Sequence, residues 1–437
     1  MEDIAIMTQN SDHTGQPHPD IASLIYDWNE AGNDSAPPET LNIHFVDETL
    51  RDGLQSPSIK DPDIDQKIKM LHLMEKLGVH CVDLGLPGSG PRAADDITRL
   101  AKEIKDNNFK IKAYCAVRTH PADIKPLIDI SQKVGMPIAA AAFIGSSPIR
   151  QFAEGWSVDD IIQKSTDAIK LAVDNGLPVM YVTEDTTRAK PDDIRALYKS
   201  AIDSGAERIC ICDTCGYVTP TGVRNLLAFI REIVAETGSD IHIDWHGHND
   251  RGLGLANSLA AVYAGVHRVH GTMLGIGERV GNASLDQILV NLKLNGAIDN
   301  DLTALAEYCE LVHEHCHGPL PPNYPVMGAD AFRTATGVHA AAIIKAEKKG
   351  DHWLADRVYS GVPAGDFGKE QVIEIGFMSG LSNVKYWLQK HGIDGTEEEL
   401  AKIAEELFAV AKSKQENLSD SEIHEIIDKC KSKALSS

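Results

Sequence analysis

From residue 42 onward the chain alternates two hydrophobic patterns. Short apolar, β-branched runs occur at IHFVDETL (43–50), VHCVDLGLP (79–87), IKAYCAV (111–117) and PIAAAAFI (137–144). They continue at PVMYVTED (178–185), RICICDT (208–214), IHIDWHGH (241–248) and VHRVHGTMLG (266–275). Between them apolar residues recur every three or four positions, as in DDITRLAKEIKD, VDDIIQKSTDAIKLAVDN and TGVRNLLAFIREIVAE, the period of an amphipathic helix. Strands alternating with helices imply parallel pairing through right-handed crossovers. Eight such units within about 250 residues is the count of a (β/α)8, or TIM, barrel. An open doubly wound sheet is the competing arrangement, but no G-x-G-x-x-G follows the first run.

The pattern therefore divides the chain into an N-terminal arm (1–41), a catalytic α/β barrel (42–300), a linker (301–327) and small, mainly α accessory subdomains (328–437). After Leu388 two amphipathic helical patterns follow, each opened by capping-box spacing, Thr396 to Glu399 and Ser419 to Glu422. No alternating β-branched runs occur there, so no strand-rich regulatory domain is expected.

Polar residues gather at the strand ends, where such barrels keep their chemistry. The first run ends in Asp47, Glu48, Arg51 and Asp52, the fifth in Thr183, Glu184 and Asp185, the sixth in Asp213 and Thr214. The seventh ends in His246, His248 and Asn249, and the eighth leads into Glu278, Arg279 and Asn282. On a strand, His246 and His248 share one face while Trp245 and Gly247 take the other. With 18 histidines in 437 residues, a lone His-x-His pair is close to chance; its place at a strand end gives it meaning. Closure sets the seventh, eighth and first strands side by side, so Asp52, His246 and His248 can meet at one ion, with Asn282 as a fourth ligand. Mixed imidazole and carboxylate donors suit Zn²⁺, Mn²⁺ or Mg²⁺-like divalent ions.

Charge and cysteine usage narrow the classes. A net charge of −22 opposes nucleic-acid binding, which needs a basic footprint. No apolar run is long enough for a membrane span, and the N-terminus lacks a secretory signal's order. Eight scattered cysteines in a large chain do not form a disulfide framework, so a reducing cytoplasmic location is expected. Cys212 and Cys215 form a C-x-x-C of redox or zinc type, or simply lie on a strand end. Cys309, His313, His315, Cys316 and His317 form either a helical metal cluster or a polar helix end.

Together VDETLRDGLQSPS, TED, CDTCGYVTP, HGHNDRGLGLANSLAAV and GIGERVGNASLDQ resemble the 2-isopropylmalate synthases. The wider group includes homocitrate synthase, citramalate synthase and 3-hydroxy-3-methylglutaryl-CoA lyase, all metal-dependent Claisen-type barrels. The likeness covers roughly residues 42–390, with PVMGADAF, TGVH and MSGLSNV similar to the accessory subdomains.

What the resemblance implies is condensation of acetyl-CoA with a 2-keto acid, 2-ketoisovalerate first among them, in the leucine pathway. Asp52, His246, His248 and Asn282 would hold the metal, and Arg51 would bind the keto oxygen. Gln55 and Thr214 would contact substrate, Thr214 holding the keto acid carboxylate. Glu184, His339 and Tyr386 would supply acid–base chemistry, in a homodimer whose subdomains exchange. Each has a plainer role as well: a rim salt bridge for Glu184, pairing with Asp47 or Glu48 for Arg51, a helix cap for Thr214, ordinary packing for His339 and Tyr386. Two positions depart from the isopropylmalate branch, Leu54 in place of Glu and Arg150 in place of His, and both bear on the choice of keto acid.

Overall fold

The computed structural model describes residues 24–25 and 41–434. All but its last residue and positions 24–25 of the expected N-terminal arm lies outside them. The chain divides into two compact units, Ala36–Leu320 and a second containing Pro321–Ser437.

Eight parallel strands close the first unit into a barrel, each bonded to the next and the eighth to the first. They are β1 (His44–Asp47), β2 (Cys81–Asp83), β3 (Lys112–Arg118) and β4 (Ala139–Gly145). β5 (Val179–Glu184), β6 (Arg208–Asp213), β7 (His242–Gly247) and β8 (Arg268–Gly271) complete it. Each coincides with one of the eight apolar runs, β3 and β4 ending one residue beyond theirs. Alternate residues fill the barrel: Val46, Cys81, Tyr114, Ala141, Met180, Cys210 and Cys212 form its inner cluster. The intervening residues Phe45, Val82, Ile209, Trp245 and Val269 are fully buried on the other face. Burial on both faces explains why these strands read as continuous apolar runs rather than clean alternations.

The stretch expected as a linker is not one throughout. Helix Leu305–Cys316 belongs to the barrel unit and buries Leu305, Tyr308, Cys309, Val312 and Cys316. Its Tyr308 hydroxyl donates to Asp47 Oδ2 at 3.0 Å. Polar histidines on its outer face obscured this packing stripe in the sequence.

In the second unit a two-stranded sheet pairs β9 (Arg333–Thr334) with β10 (Val372–Ile373). Helices Leu381–Lys390, Glu397–Lys414 and Asp420–Ala434 share a core of Ile375, Val384, Trp387, Ile403, Leu407 and Ile427. Both expected capping boxes form: Thr396 and Glu399 satisfy each other's backbone N–H groups, as do Ser419 and Glu422. No helix among the described residues is long and apolar enough to cross a membrane.

Candidate functional site

At the C-terminal ends of the barrel strands lies a cavity of about 280 Å³. Arg51, Asp52, Gln55, Glu184, Thr214, His246 and His248 all line it, so seven of the expected residues converge. Asp52, His246 and His248 are buried, and their ligand atoms lie within 4.8 Å of one another.

Asp52 Oδ2 stands 3.4 Å from His246 Nε2 and 3.6 Å from His248 Nε2. Those separations are long for hydrogen bonds. They suit two ligands each about 2.1 Å from one ion at a tetrahedral angle, which lie about 3.4 Å apart. Asn282 adds a further sign. Its Nδ2 donates to the Ile276 carbonyl at 3.0 Å, while its buried Oδ1 has no hydrogen-bond partner. A buried oxygen without a donor is costly, and a cation would satisfy it. Asn282 is held against His248 by an isolated antiparallel bridge. The turn before it needs glycine: Gly281 has φ 94°, and a Cβ there would sit 1.8 Å from the Gly275 carbonyl oxygen. The donor set thus fits a divalent ion.

A second group, Glu48, His246 and His270, has the same composition but other geometry. Glu48 accepts from Tyr114 Oη at 2.8 Å, His246 Nδ1 at 2.6 Å and His270 Nδ1 at 3.0 Å, with Arg51 Nη2 at 3.3 Å. These are hydrogen-bond distances, and they saturate the carboxylate. Glu48 therefore orients His246 by accepting from its Nδ1–H, which aims Nε2 at the position an ion would take, as supporting carboxylates do at metal sites. Behind it, His270 Nε2 meets Asp244 Oδ2 at 3.1 Å, and Asp244 accepts from Arg208 at 2.6 Å.

The electrostatics follow from these contacts. Burial opposes charge on Glu48, but His246 and His270 outweigh it and hold the carboxyl well below its usual range. Burial likewise opposes protonation of His246, yet Glu48 pulls it up to about 10, so an ion binding at Nε2 would displace the proton there. Burial and then the neighbouring His246 push His248 down to about 4, so it is neutral and ready to ligate. Glu184 is raised, chiefly by burial, with Arg150 and Arg51 opposing.

Arg51 makes the pairing expected of it with Glu48 and adds one with Asp83. Nε donates to Asp83 Oδ2 at 2.7 Å and Nη2 to Glu48, while Nη1 reaches toward Asp52 at 3.7 Å in the cavity wall. Thr214 Oγ1 accepts the Asp185 N–H at 2.8 Å, which leaves its own proton for a ligand. Asp185 has φ 59° and is fixed by Arg188 and the Ser147 hydroxyl. Two other strand-end groups have partners within the fold: Asp213 Oδ1 accepts from Thr187 and the Tyr217 N–H, and Arg279 pairs with Asp250, while Glu278 lines the cavity. Of the two departures, Leu54 lines a separate cavity, and Arg150 pairs with Glu154 near Glu184.

His339 and Tyr386 lie in the second unit. His339 is exposed and stacks on Tyr359 with centroids 3.8 Å apart, whereas the Tyr386 hydroxyl donates to Glu347 at 3.0 Å. The C-x-x-C is split, with Cys212 inside the barrel and Cys215 accepting from Arg188 at 3.1 Å. In the cluster on helix Leu305–Cys316, His313 bonds the Gly318 carbonyl at 2.7 Å, which is the polar-helix-end arrangement. Neither group is among the two metal-type clusters of the described residues.

Sequence reasoning missed Glu48's role as hub, and with it Asp83, Tyr114, Asp244 and His270. The signal available was parity: Asp244 lies two residues before His246, so it shares its face.

Residues 42–312 match the HMGL-like family. A homocitrate synthase of Methanopyrus kandleri is 30% identical over 388 residues, covering 88% of this chain and 91% of that one. A 2-isopropylmalate synthase of Sulfolobus acidocaldarius is 31% identical over 374 residues, covering 85% and 91%. The crystal structure of hydroxymethylglutaryl-CoA lyase from Pseudomonas aeruginosa aligns with a TM-score of 0.52 at 17% identity, covering 64% and 93%, a likeness of fold. The barrel, the donor set at its mouth and these relatives agree: the chain belongs to the HMGL-like family of metal-dependent barrel enzymes.

Proposed function

We propose that this protein condenses acetyl-CoA with a 2-keto acid, and that the keto acid is 2-ketoisovalerate, giving 2-isopropylmalate. The observation that carries the reading is one cavity holding the Asp52–His246–His248 group, the Arg51 guanidinium and a carboxyl, Glu184, raised by burial. When bound there, a divalent ion would polarise the keto oxygen. Arg51 would stabilise negative charge on that oxygen, its geometry fixed in advance by Asp83 and Glu48. Glu184 would remove a proton from the thioester methyl, a weak carbon acid that needs a positioned base with a raised pKa. The resulting carbon nucleophile adds to the keto carbon, and water then cleaves the thioester to free CoA. Thr214 would donate to the keto acid carboxylate.

The choice among keto acids rests on the apolar part of the cavity lining. Leu86, Ala116, Ala141, Phe143, Met180 and Val182 give the cavity an apolar side. A branched aliphatic side chain is buried favourably there, whereas the distal carboxylate of 2-ketoglutarate would be desolvated without a partner. Relatives named homocitrate synthase keep that second substrate in view. The reading also includes a homodimer in which His339 and Tyr386 serve the other subunit's reaction.

A free-thiol assay with a panel of keto acids tests it. Release of CoA with 2-ketoisovalerate is the expected result. Release only with pyruvate or 2-ketoglutarate would reassign it to citramalate or homocitrate synthase, and cleavage of a 3-hydroxyacyl-CoA to a lyase. Mixing Arg51→Ala with His339→Ala subunits should restore activity if subdomains exchange.

A further inference from the structure

The other end of the barrel, at the N-termini of the strands, holds an open cavity of about 900 Å³. Parity along the strands dictates what points into it. Tyr114, Cys210 and His270 face the barrel interior. Lys112, Arg208 and Arg268, each two residues earlier and first in its strand, therefore face the same way. All three line the cavity.

Little carboxylate meets this charge. Asp244 accepts from Arg208 Nη1 at 2.6 Å and lies 3.9 Å from Arg268 Nη1. Its Oδ2 is already shared with His270. Arg268 Nε is buried with no hydrogen-bond partner, although the side chain is only 15% exposed. Lys112 forms no ion pair among the described residues. Glu207 and Asp240 are equalled in number by Lys105 and Lys110 in the lining, so it keeps an excess of about two positive charges after Asp244 is counted. His44, in register with Arg268, and His242, in register with Arg208, are both lowered, by burial first and then by these cations.

An unpaired guanidinium N–H and three like charges in a partly dry throat are costly unless an anion compensates them. A chain of net charge −22 that nonetheless gathers cations in one concave place has a local reason to do so. We propose that the base of the barrel binds a small, doubly charged oxyanion, a phosphate or phosphate monoester, through Lys112, Arg208 and Arg268. Arginine forks match tetrahedral oxyanions, and the lysine adds a mobile point charge.

Titration of inorganic phosphate into the full chain by calorimetry, at ionic strength held constant with chloride, tests the site. One saturable site is expected in the wild type and in Arg51→Gln, which alters the catalytic mouth. Affinity should fall at least tenfold in Lys112→Met, whose exposed position spares the fold, and in Arg268→Gln, with circular dichroism confirming folding. Tighter binding of glycerol 3-phosphate would assign the site to an ester, and equal binding to phosphate itself. Absence of saturable binding, binding that survives both base variants, or binding lost in Arg51→Gln would overturn the proposal.

Discussion

Replacing Glu48 with glutamine tests the hub beneath the candidate metal site. Glu48 serves Tyr114, His246, His270 and Arg51 at once, all at 2.6–3.3 Å. The amide keeps the shape but loses the charge, and one of its two acceptor ends becomes a donor. If the amide N–H₂ faces His246, it opposes Nδ1–H and favours the tautomer that protonates Nε2, the atom 3.4 Å from Asp52. If it faces the other side, it opposes the donors of Tyr114, His270 and Arg51. Loss of a supporting carboxylate at a ligating histidine costs about 10–100-fold in metal affinity, or about 1.4–2.7 kcal/mol. Competition between the protein and a chelator for Mn²⁺ or Zn²⁺ at pH 7 measures this, with near-ultraviolet circular dichroism to confirm that the variant is folded. A folded Glu48→Gln protein that binds the ion as tightly as wild type would refute the arrangement.

Glu184→Gln should lower turnover by about 10²–10⁴-fold while leaving bound metal intact. In the wild type, activity should fall with acidity along a limb that lies above 4.5, because burial raises Glu184 and the base works as carboxylate; a variant with undiminished kcat would rule Glu184 out. His80 is pushed down to about 4 by burial and then His44, and its Nδ1 lies 3.2 Å from the Phe45 N–H as acceptor. The unfolded chain then binds the extra proton between pH 6.5 and 4, so stability should drop as pH falls through that window; urea melts of His80→Gln should show a shallower slope, and an unchanged slope would contradict it. Leu407→Ala, fully buried in the second unit's helical core, should cost about 2–5 kcal/mol in the same melts, and wild-type stability would disprove that packing.

The barrel was legible because eight apolar runs separated by helical patterns admit few other solutions. Each of the eight strands coincides with one run to within a residue. The mouth was legible because a strand's end tells which residues reach it, as for Asp52, His246, His248 and Glu184. What was not legible is the layer below. Whether Glu48 of the β1 end meets His270 of β8 and Tyr114 of β3 depends on the stagger of strands around the barrel, which no single strand encodes. Strand-end position also overstated function, since Asp47 and Asp213 hold backbone N–H groups and hydroxyls instead of ligands. The helical character of Leu305–Cys316 was legible but its place was not: the stretch counted as linker, whereas its Leu, Tyr and Val stripe is buried in the barrel unit.

The central claim is that Asp52, His246 and His248 hold the ion on which the condensation depends. Metal content and CoA release, measured on the same samples of wild type, chelator-stripped wild type and Asp52→Ala, test it most directly. We expect about one divalent ion per chain in active wild type, loss of both ion and CoA release on stripping, recovery when Mn²⁺ or Zn²⁺ is returned, and no recovery in Asp52→Ala. Full turnover in stripped protein, or tight ion binding by Asp52→Ala, would contradict the account.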